Sequence, residues 1–175
     1  HRQPKHVLSA EQSVEALDLL LRDAIGSQMV ADVPLGAFLS GGVDSSTIVA
    51  LMQAQSSRQV KTFSIGFDDP AYNEAQFAAQ VAAHLGTDHT EWYMGGQDAL
   101  AAVPRMSQVY DEPFADSSQL PTALVTALAR QQVTVVLSGD AGDELFNGYE
   151  RYQIATRLHQ RLASIPAGFR KLAGR

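Results

Sequence analysis

The chain has 175 residues, of which 45% are hydrophobic, and it carries a formal net charge of −6 at pH 7 and no cysteine. This length and apolar content suit one domain with a substantial core, and the scattered Lys and Arg residues argue against a nucleic-acid partner. The lack of cysteine excludes disulfides, thiolate metal ligands and thiol nucleophiles, and no apolar stretch approaches the ~20 residues of a membrane span, so we expect a soluble, cytoplasmic protein without a membrane partner.

The first predicted elements are a helix, a strand and a second helix. Ser9 and Gln12 form a capping-box pattern, and apolar residues at helical spacing continue to about Met29. Residues 34–39 are a short apolar run and predict a strand. After a glycine loop, the apolar residues of 45–52 predict a helix that begins inside the loop.

The rest of the chain continues this alternation. Asn73 is predicted to cap a helix whose apolar face includes Phe77 and which ends at Gly86, and Pro104 is predicted to interrupt the next helix. A further helix is expected over 121–131, and strands are expected over 60–67, 89–93 and 133–137. Strands that alternate with helices predict a three-layer α/β fold, with a largely parallel sheet and helices on both faces.

Two glycine loops follow predicted strands, Ser-Gly-Gly-Val-Asp-Ser at 40–45 and Ser-Gly-Asp-Ala-Gly-Asp-Glu at 138–144. Ligands of parallel sheets bind at the carboxyl ends of the strands, where both loops fall. Gly41 and Gly42 remove side chains that would keep a phosphate from the backbone, and the next helix points its N-terminus at the loop. Because Asp44 would repel a phosphate, we expect Mg²⁺ between them.

Each loop also has a purely structural interpretation. The first would be a glycine turn in which Asp44 caps a helix, and the second would be a solvated acidic helix start. Asp140, Asp143 and Glu144 would repel one another in a partly buried site, so a metal shared with Asp44 is the preferred interpretation. The acidic loop around Asp116 is left open between a substrate contact and a solvated turn.

Residues 39–46, 62–67 and 138–149 resemble the synthetase domain of the asparagine synthetase family, and the first loop is similar to the pyrophosphate-binding loop of the ATP-pyrophosphatase superfamily. Residues 111–118 are similar to the bacterial asparagine synthetase-like amidotransferase branch. The resemblance implies an adenine nucleotide alpha hydrolase-like fold. It also implies that 1–175 is a synthetase domain, a fragment that lacks an N-terminal glutaminase domain and a C-terminal part.

The resemblance also implies roles for individual residues. Asp44 and Asp143 match the Mg²⁺ ligands, and Asp140 and Asp143 match catalytic carboxylates, although many asparagine synthetases have Glu at the position of Asp140. The positions that match nucleotide-binding residues are Leu39, Ser40, Gly41, Gly42, Asp44, Ser45, Ser46, Ile65, Ser138 and Gly139.

The implied activity is ATP-dependent amide formation. Mg-ATP would adenylate a carboxylate, aspartate or a related acid, and release pyrophosphate, and ammonia from glutamine would then attack the acyl-adenylate. The implied cofactors are ATP and Mg²⁺, the implied partner is a glutaminase domain of the same chain, and a homo-oligomer is left open. Two alternatives also stay open: a non-catalytic nucleotide-binding or interaction module, and a β-lactam-forming or polysaccharide-modifying relative that uses the same adenylation.

Overall fold

The structure is a computed structural model that describes residues 8–69, 73–112 and 115–163. The chain divides into two compact units, the first ending at Gly139 and the second beginning at Asp140. The first unit contains the sheet, and the described part of the second unit contains two helices. None of the described helices is long and apolar enough to cross a membrane.

The sheet of the first unit has four strands in the order β3-β2-β1-β4, and all three neighbouring pairs are parallel. The strands are β1 (Leu35–Phe38), β2 (Lys61–Phe67), β3 (Asp88–Met94) and β4 (Val135–Leu137). β1 and β4 pair directly although β4 is the last strand in the sequence. The loops that follow these two strands therefore leave the same edge of the sheet side by side, and the predicted parallel sheet is confirmed.

The predicted helices occur in the predicted order, and the structure adds a helix over 150–163 that was not predicted. The Ser9 hydroxyl accepts a hydrogen bond from the Gln12 N–H at 3.2 Å, and the Gln12 side chain accepts one from the Ser9 N–H at 3.0 Å. A 3₁₀ turn over Val103–Arg105 separates α4 from α5 at Pro104, as predicted. The helices are α1 (Ala10–Gln28), α2 (Val43–Gln55), α3 (Ala75–Leu85), α4 (Gly96–Ala102), α5 (Met106–Val109), α6 (Gln119–Ala129), α7 (Gly142–Phe146) and α8 (Glu150–Ala163).

Helices cover both faces of the sheet. Successive residues of β1 point to opposite faces, and Ala37 packs in a cluster with buried residues of α1, α2 and α3. Phe63 of β2 packs in a second cluster with Val125 and Ala129 of α6. These two clusters form the cores of a three-layer α/β fold, which confirms the predicted fold class.

One predicted core residue of α3 is exposed. Ala78 and Ala82 are buried as the helical pattern predicts, but 60% of Phe77 is accessible. The N-terminal cap of α3 is Glu74, one residue after the predicted Asn73, whose side chain accepts a hydrogen bond from the Ala75 N–H at 3.1 Å. Gly86 ends the helix as predicted, in the left-handed conformation with φ of 71°.

His89 joins β3 to β2 through buried hydroxyl groups. Its Nδ1 atom lies 2.9 Å from the Thr62 hydroxyl, and its Nε2 atom lies 3.2 Å from the Ser64 hydroxyl. Burial lowers the pKa of His89 from its ordinary value, and the nearby Glu91 carboxylate opposes this shift. His89 therefore holds the two strands together as a neutral imidazole.

The free energy of unfolding is expected to fall as the pH drops below about 6.5, the ordinary pKa of histidine. Below this pH, His89 binds a proton more readily in the unfolded chain than in the folded chain, and this favours unfolding. Above this pH the imidazole is neutral in both states, so it contributes no pH dependence. Urea unfolding at several pH values measures the effect. His89→Gln should remove this part of the loss, and His84→Gln, a change at an exposed histidine, should retain it. An equal loss in both variants would contradict the prediction.

Candidate functional site

Two serine hydroxyls close the first glycine loop on itself. The Ser40 N–H donates to the Ser45 hydroxyl at 3.2 Å, and the two hydroxyl oxygens lie 3.0 Å apart. The Gly42 N–H donates to the Ser40 hydroxyl at 3.2 Å, and the Ser45 hydroxyl donates to the Gly42 carbonyl at 3.3 Å. Ser40 and Ser45 thus fix the shape of the loop from within.

The helix α2 begins inside this loop. Gly42 is its N-terminal cap, and no side chain caps the helix. The first N–H groups of a helix have no acceptor within the helix, so α2 offers donors and a positive dipole end to the loop. Within the described residues, the Ser46 hydroxyl oxygen is buried and has no hydrogen-bond partner. Uncapped N–H groups and an orphaned hydroxyl fit a ligand rich in oxygen acceptors, such as a phosphate.

Gly41 lets the loop touch α3. Its φ of 82° lies in the left-handed region, which disfavours a side chain. A Cβ atom on Gly41 would lie 2.6 Å from the Cβ of Phe77 and 2.7 Å from the N atom of Ala78. The loop therefore lies against the backbone at the first turn of α3.

Gly139 brings the second loop against the first. A Cβ atom on Gly139 would lie 2.7 Å from the N atom of Ser45 and 3.0 Å from the carbonyl carbon of Asp44. This contact follows from the sheet, because Ala37 of β1 pairs with Leu137 of β4. The structure thus places 138–139, the beginning of the second loop, at the N-terminus of α2.

Two predicted nucleotide-binding positions, Leu39 and Ile65, lie near the ends of neighbouring strands at the same edge of the sheet. Leu39 directly follows β1, is 1% exposed, and donates its N–H to the Phe63 carbonyl at 2.9 Å. Ile65 lies two residues before the end of β2 and is half-buried. The nucleotide-binding positions predicted in the first unit therefore all lie at the carboxyl edge of the sheet, whereas their contacts with a nucleotide stay a prediction.

Asp140 and Asp143 lie in the second unit. Asp143 lies in the first turn of α7 and is half-buried, and Asp140 precedes that helix and is exposed. The Tyr149 hydroxyl donates to the Glu144 carboxylate at 2.7 Å, and the Arg151 guanidinium lies 4.0 Å from the centre of the Tyr149 ring. The hydrogen bond lowers the pKa of Glu144 and raises the pKa of Tyr149. The contacts among Glu144, Tyr149 and Arg151 were not predicted from the sequence. The only sequence feature that could have indicated them is the Gly148-Tyr149 pair that follows the second loop.

The described residues contain no preformed metal cage. Among them, no group of three or more His, Cys, Asp or Glu side chains is arranged to hold an ion. Mg²⁺ commonly uses only one or two carboxylates and takes its other ligands from phosphates and water. Asp44 and Asp143 stay predicted ligands of Mg²⁺.

The acidic loop before α6 has its own local structure. The Ser118 N–H donates to the Asp116 carboxylate at 2.8 Å and lowers the pKa of Asp116. The Asp116 side chain is exposed. These observations favour the solvated turn over a substrate contact. Pro113 and Phe114 of the predicted family segment lie outside the described residues.

A parallel sheet with a glycine loop between one of its two inner strands and an uncapped helix defines an α/β domain whose candidate site lies at the carboxyl edge of the sheet. The asparagine synthase family matches residues 16–175, and the chain belongs to this family. It is similar to the putative asparagine synthetase (glutamine-hydrolyzing) 2 of Methanocaldococcus jannaschii, with 43% identity over 83% of this chain and 28% of the relative. It is also similar to asparagine synthetase (glutamine-hydrolyzing) 1 of Bacillus subtilis, with 36% identity over 86% of this chain and 23% of the relative. The chain thus spans about a quarter of the length of these relatives.

Solved structures of lower identity share the fold. The NH3-dependent NAD synthetase of Campylobacter jejuni matches 77% of this chain and 60% of its own, with a TM-score of 0.53 and 16% identity. The NMN synthetase of Francisella tularensis matches 83% of this chain and 60% of its own, with a TM-score of 0.50 and 17% identity. These likenesses confirm the α/β fold.

Gly139→Ala and Gly41→Ala are each expected to lower the free energy of unfolding by about 1–3 kcal/mol, because the added methyl group would displace the backbone of α2 or α3. Gly96→Ala is the matched control, since a Cβ atom there meets nothing within 4 Å. This change in α4 should leave stability unchanged or raise it by up to ~1 kcal/mol. Urea unfolding measures all three, and a Gly139→Ala variant as stable as the Gly96→Ala variant would contradict the packing argument.

Proposed function

We propose that the whole protein uses ATP and Mg²⁺ to convert a substrate carboxylate into an amide. A carboxylate oxygen of aspartate or a related acid attacks the α-phosphorus of ATP, and pyrophosphate leaves. Ammonia then attacks the carbonyl carbon of the acyl-adenylate, and AMP leaves with that oxygen. With aspartate as the acid, the product is asparagine.

The observation that carries this proposal is the glycine loop between β1 and α2. Its N–H groups and the uncapped end of α2 suit a polyanion, and Gly41 and Gly139 keep side chains out of the space where the backbone segments meet. Preorganised donors of this kind stabilise charge that develops on a leaving group. A leaving pyrophosphate is such a group.

The predicted nucleotide-binding and metal-binding residues each have a role in this scheme. The backbone at Leu39 and Ile65 and the segment 138–139 bind the adenosine part of ATP, and 40–46 bind its phosphates. Asp44 and Asp143 hold Mg²⁺, which supplies charge neutralisation on the phosphates when it is bound. The orphaned Ser46 hydroxyl and the uncapped α2 terminus support the phosphate part of this assignment.

The ammonia source and the cellular setting belong to the same proposal. The relatives are named as glutamine-hydrolysing synthetases, which supports a glutaminase domain in the whole protein. A cytoplasmic location and self-association stay predictions from the sequence.

Asp44→Asn is expected to weaken Mg-ATP binding roughly 10- to 100-fold, because one charge-assisted contact contributes about 1.5–3 kcal/mol. Asp116→Asn is the matched control, since Asp116 caps an exposed turn that belongs to neither glycine loop. Calorimetry with and without EDTA measures both the effect and its dependence on the metal. Equal affinities of the two variants, or tight binding of ATP in EDTA, would contradict the assignment of Asp44.

Pyrophosphate release tests the activity itself. The whole protein with ATP, Mg²⁺, ammonium and aspartate is expected to release pyrophosphate at about 1 s⁻¹ or faster, an ordinary rate for an enzyme. Release with a different carboxylic acid alone would favour a relative with another substrate. Tight Mg-ATP binding with no release for any acid would favour a non-catalytic nucleotide-binding module.

A further inference from the structure

Asp143 and Gly148 are in direct contact at the turn between α7 and α8. The Gly148 N–H donates a hydrogen bond of 2.9 Å to the carbonyl oxygen of Asp143. A Cβ atom on Gly148 would overlap the Oδ1 atom of Asp143 and would lie 2.9 Å from its Cγ atom. The carboxylate of Asp143 therefore occupies the space that any side chain at position 148 would need.

Two left-handed residues and one side-chain contact fix this turn. Ala141 begins α7 with φ of 71°, and Asn147 ends it with φ of 61°. This conformation is costly for residues with a Cβ atom and persists where surrounding contacts hold it. The hydrogen bond from Tyr149 to Glu144 joins the residue after Gly148 to α7. Gly148 is thus held against Asp143 from both sides of the turn.

We propose that Gly148 is a positioning residue for Asp143, because its missing side chain leaves the space in which the Asp143 carboxylate is held for the metal of Mg-ATP. This inference rests on the proposed function, since it takes Asp143 to be a magnesium ligand. The positive-φ glycines among the described residues are Gly41 and Gly86, so the backbone at position 148 is open to alanine. An alanine there would displace a flexible carboxylate and leave the backbone in place.

The experiment is a magnesium titration of ATP binding to the whole protein, followed by calorimetry, with thermal unfolding measured on the same samples. Gly148→Ala is expected to raise the Mg²⁺ concentration for half-maximal ATP binding about 10-fold or more, as changes behind a metal ligand commonly do. Its unfolding midpoint should stay close to that of the unchanged protein. Gly96→Ala, the open-space control, should leave the Mg²⁺ requirement unchanged and should not lower the unfolding midpoint.

A second comparison separates positioning from a general structural effect. In an Asp143→Asn background, Gly148→Ala should add no further change to the Mg²⁺ requirement, because both substitutions act through the same carboxylate. Additive effects of the two changes would overturn the inference, and so would an unchanged Mg²⁺ requirement in Gly148→Ala alone.

Tyr149→Phe tests the turn without adding a methyl group. It retains the ring and removes the hydroxyl that bonds Glu144, so the Mg²⁺ requirement should rise several-fold. If Gly148→Ala does not fold, an unchanged requirement in Tyr149→Phe overturns the inference. A protein that binds Mg-ATP and releases no pyrophosphate would refute amide formation, and the same titration would still decide the role of Gly148. A protein that binds no ATP with Mg²⁺ would refute both.

Discussion

The contact of Gly139 with the first turn of α2 joins two loops that are far apart in the sequence. It exists because β1 and β4 are neighbours in the sheet, so that their loops emerge together. Gly41 makes a second contact of the same kind, with the first turn of α3. At both places backbone meets backbone with no side chain between them. The carboxyl edge of the sheet therefore has a fixed shape that the ends of two helices and two strands determine jointly.

In the structure, the hydroxyls of Ser40 and Ser45 hold the shape of the first loop. The resemblance implies that Ser40 and Ser45 are nucleotide-binding positions, and in the structure their hydroxyls bond to each other and to the loop backbone. A loop that already holds its shape does not have to reorganise when an anion binds, which is how preorganised sites stabilise developing charge. The donors left for a ligand are the N–H groups at the start of α2 and the buried Ser46 hydroxyl.

Periodicity and capping residues were sufficient to predict the fold. The Ser9 capping box, the strand runs and the interruption at Pro104 are local features, and local features are visible in one sequence. The exposure of Phe77 was not predictable in this way, because the helical pattern places it on the apolar face of α3. The approach of Gly41 to the first turn of α3 likewise depends on the tertiary fold. The order of the strands likewise sets which loops become neighbours.

The candidate site shows the same division. Glycines beside carboxylates predicted the two loops, and the resemblance predicted which positions contact a nucleotide. The space under the Asp143 carboxylate could not be predicted, since it requires a left-handed Asn147 to bring Gly148 back against α7. A side chain such as asparagine adopts this conformation only in particular turns. The contact between Gly148 and Asp143 is therefore a property of the folded turn.

The central claim is that this protein activates a carboxylate by transferring AMP to it. The most direct test uses the whole protein with ATP, Mg²⁺, ammonium and aspartate that carries ¹⁸O in its side-chain carboxylate. When ammonia displaces AMP from an acyl-adenylate, the AMP keeps one oxygen of the original carboxylate on its phosphorus. The account predicts AMP that contains one ¹⁸O atom, detected by mass spectrometry. Unlabelled AMP, or ADP and phosphate in place of AMP and pyrophosphate, would contradict it.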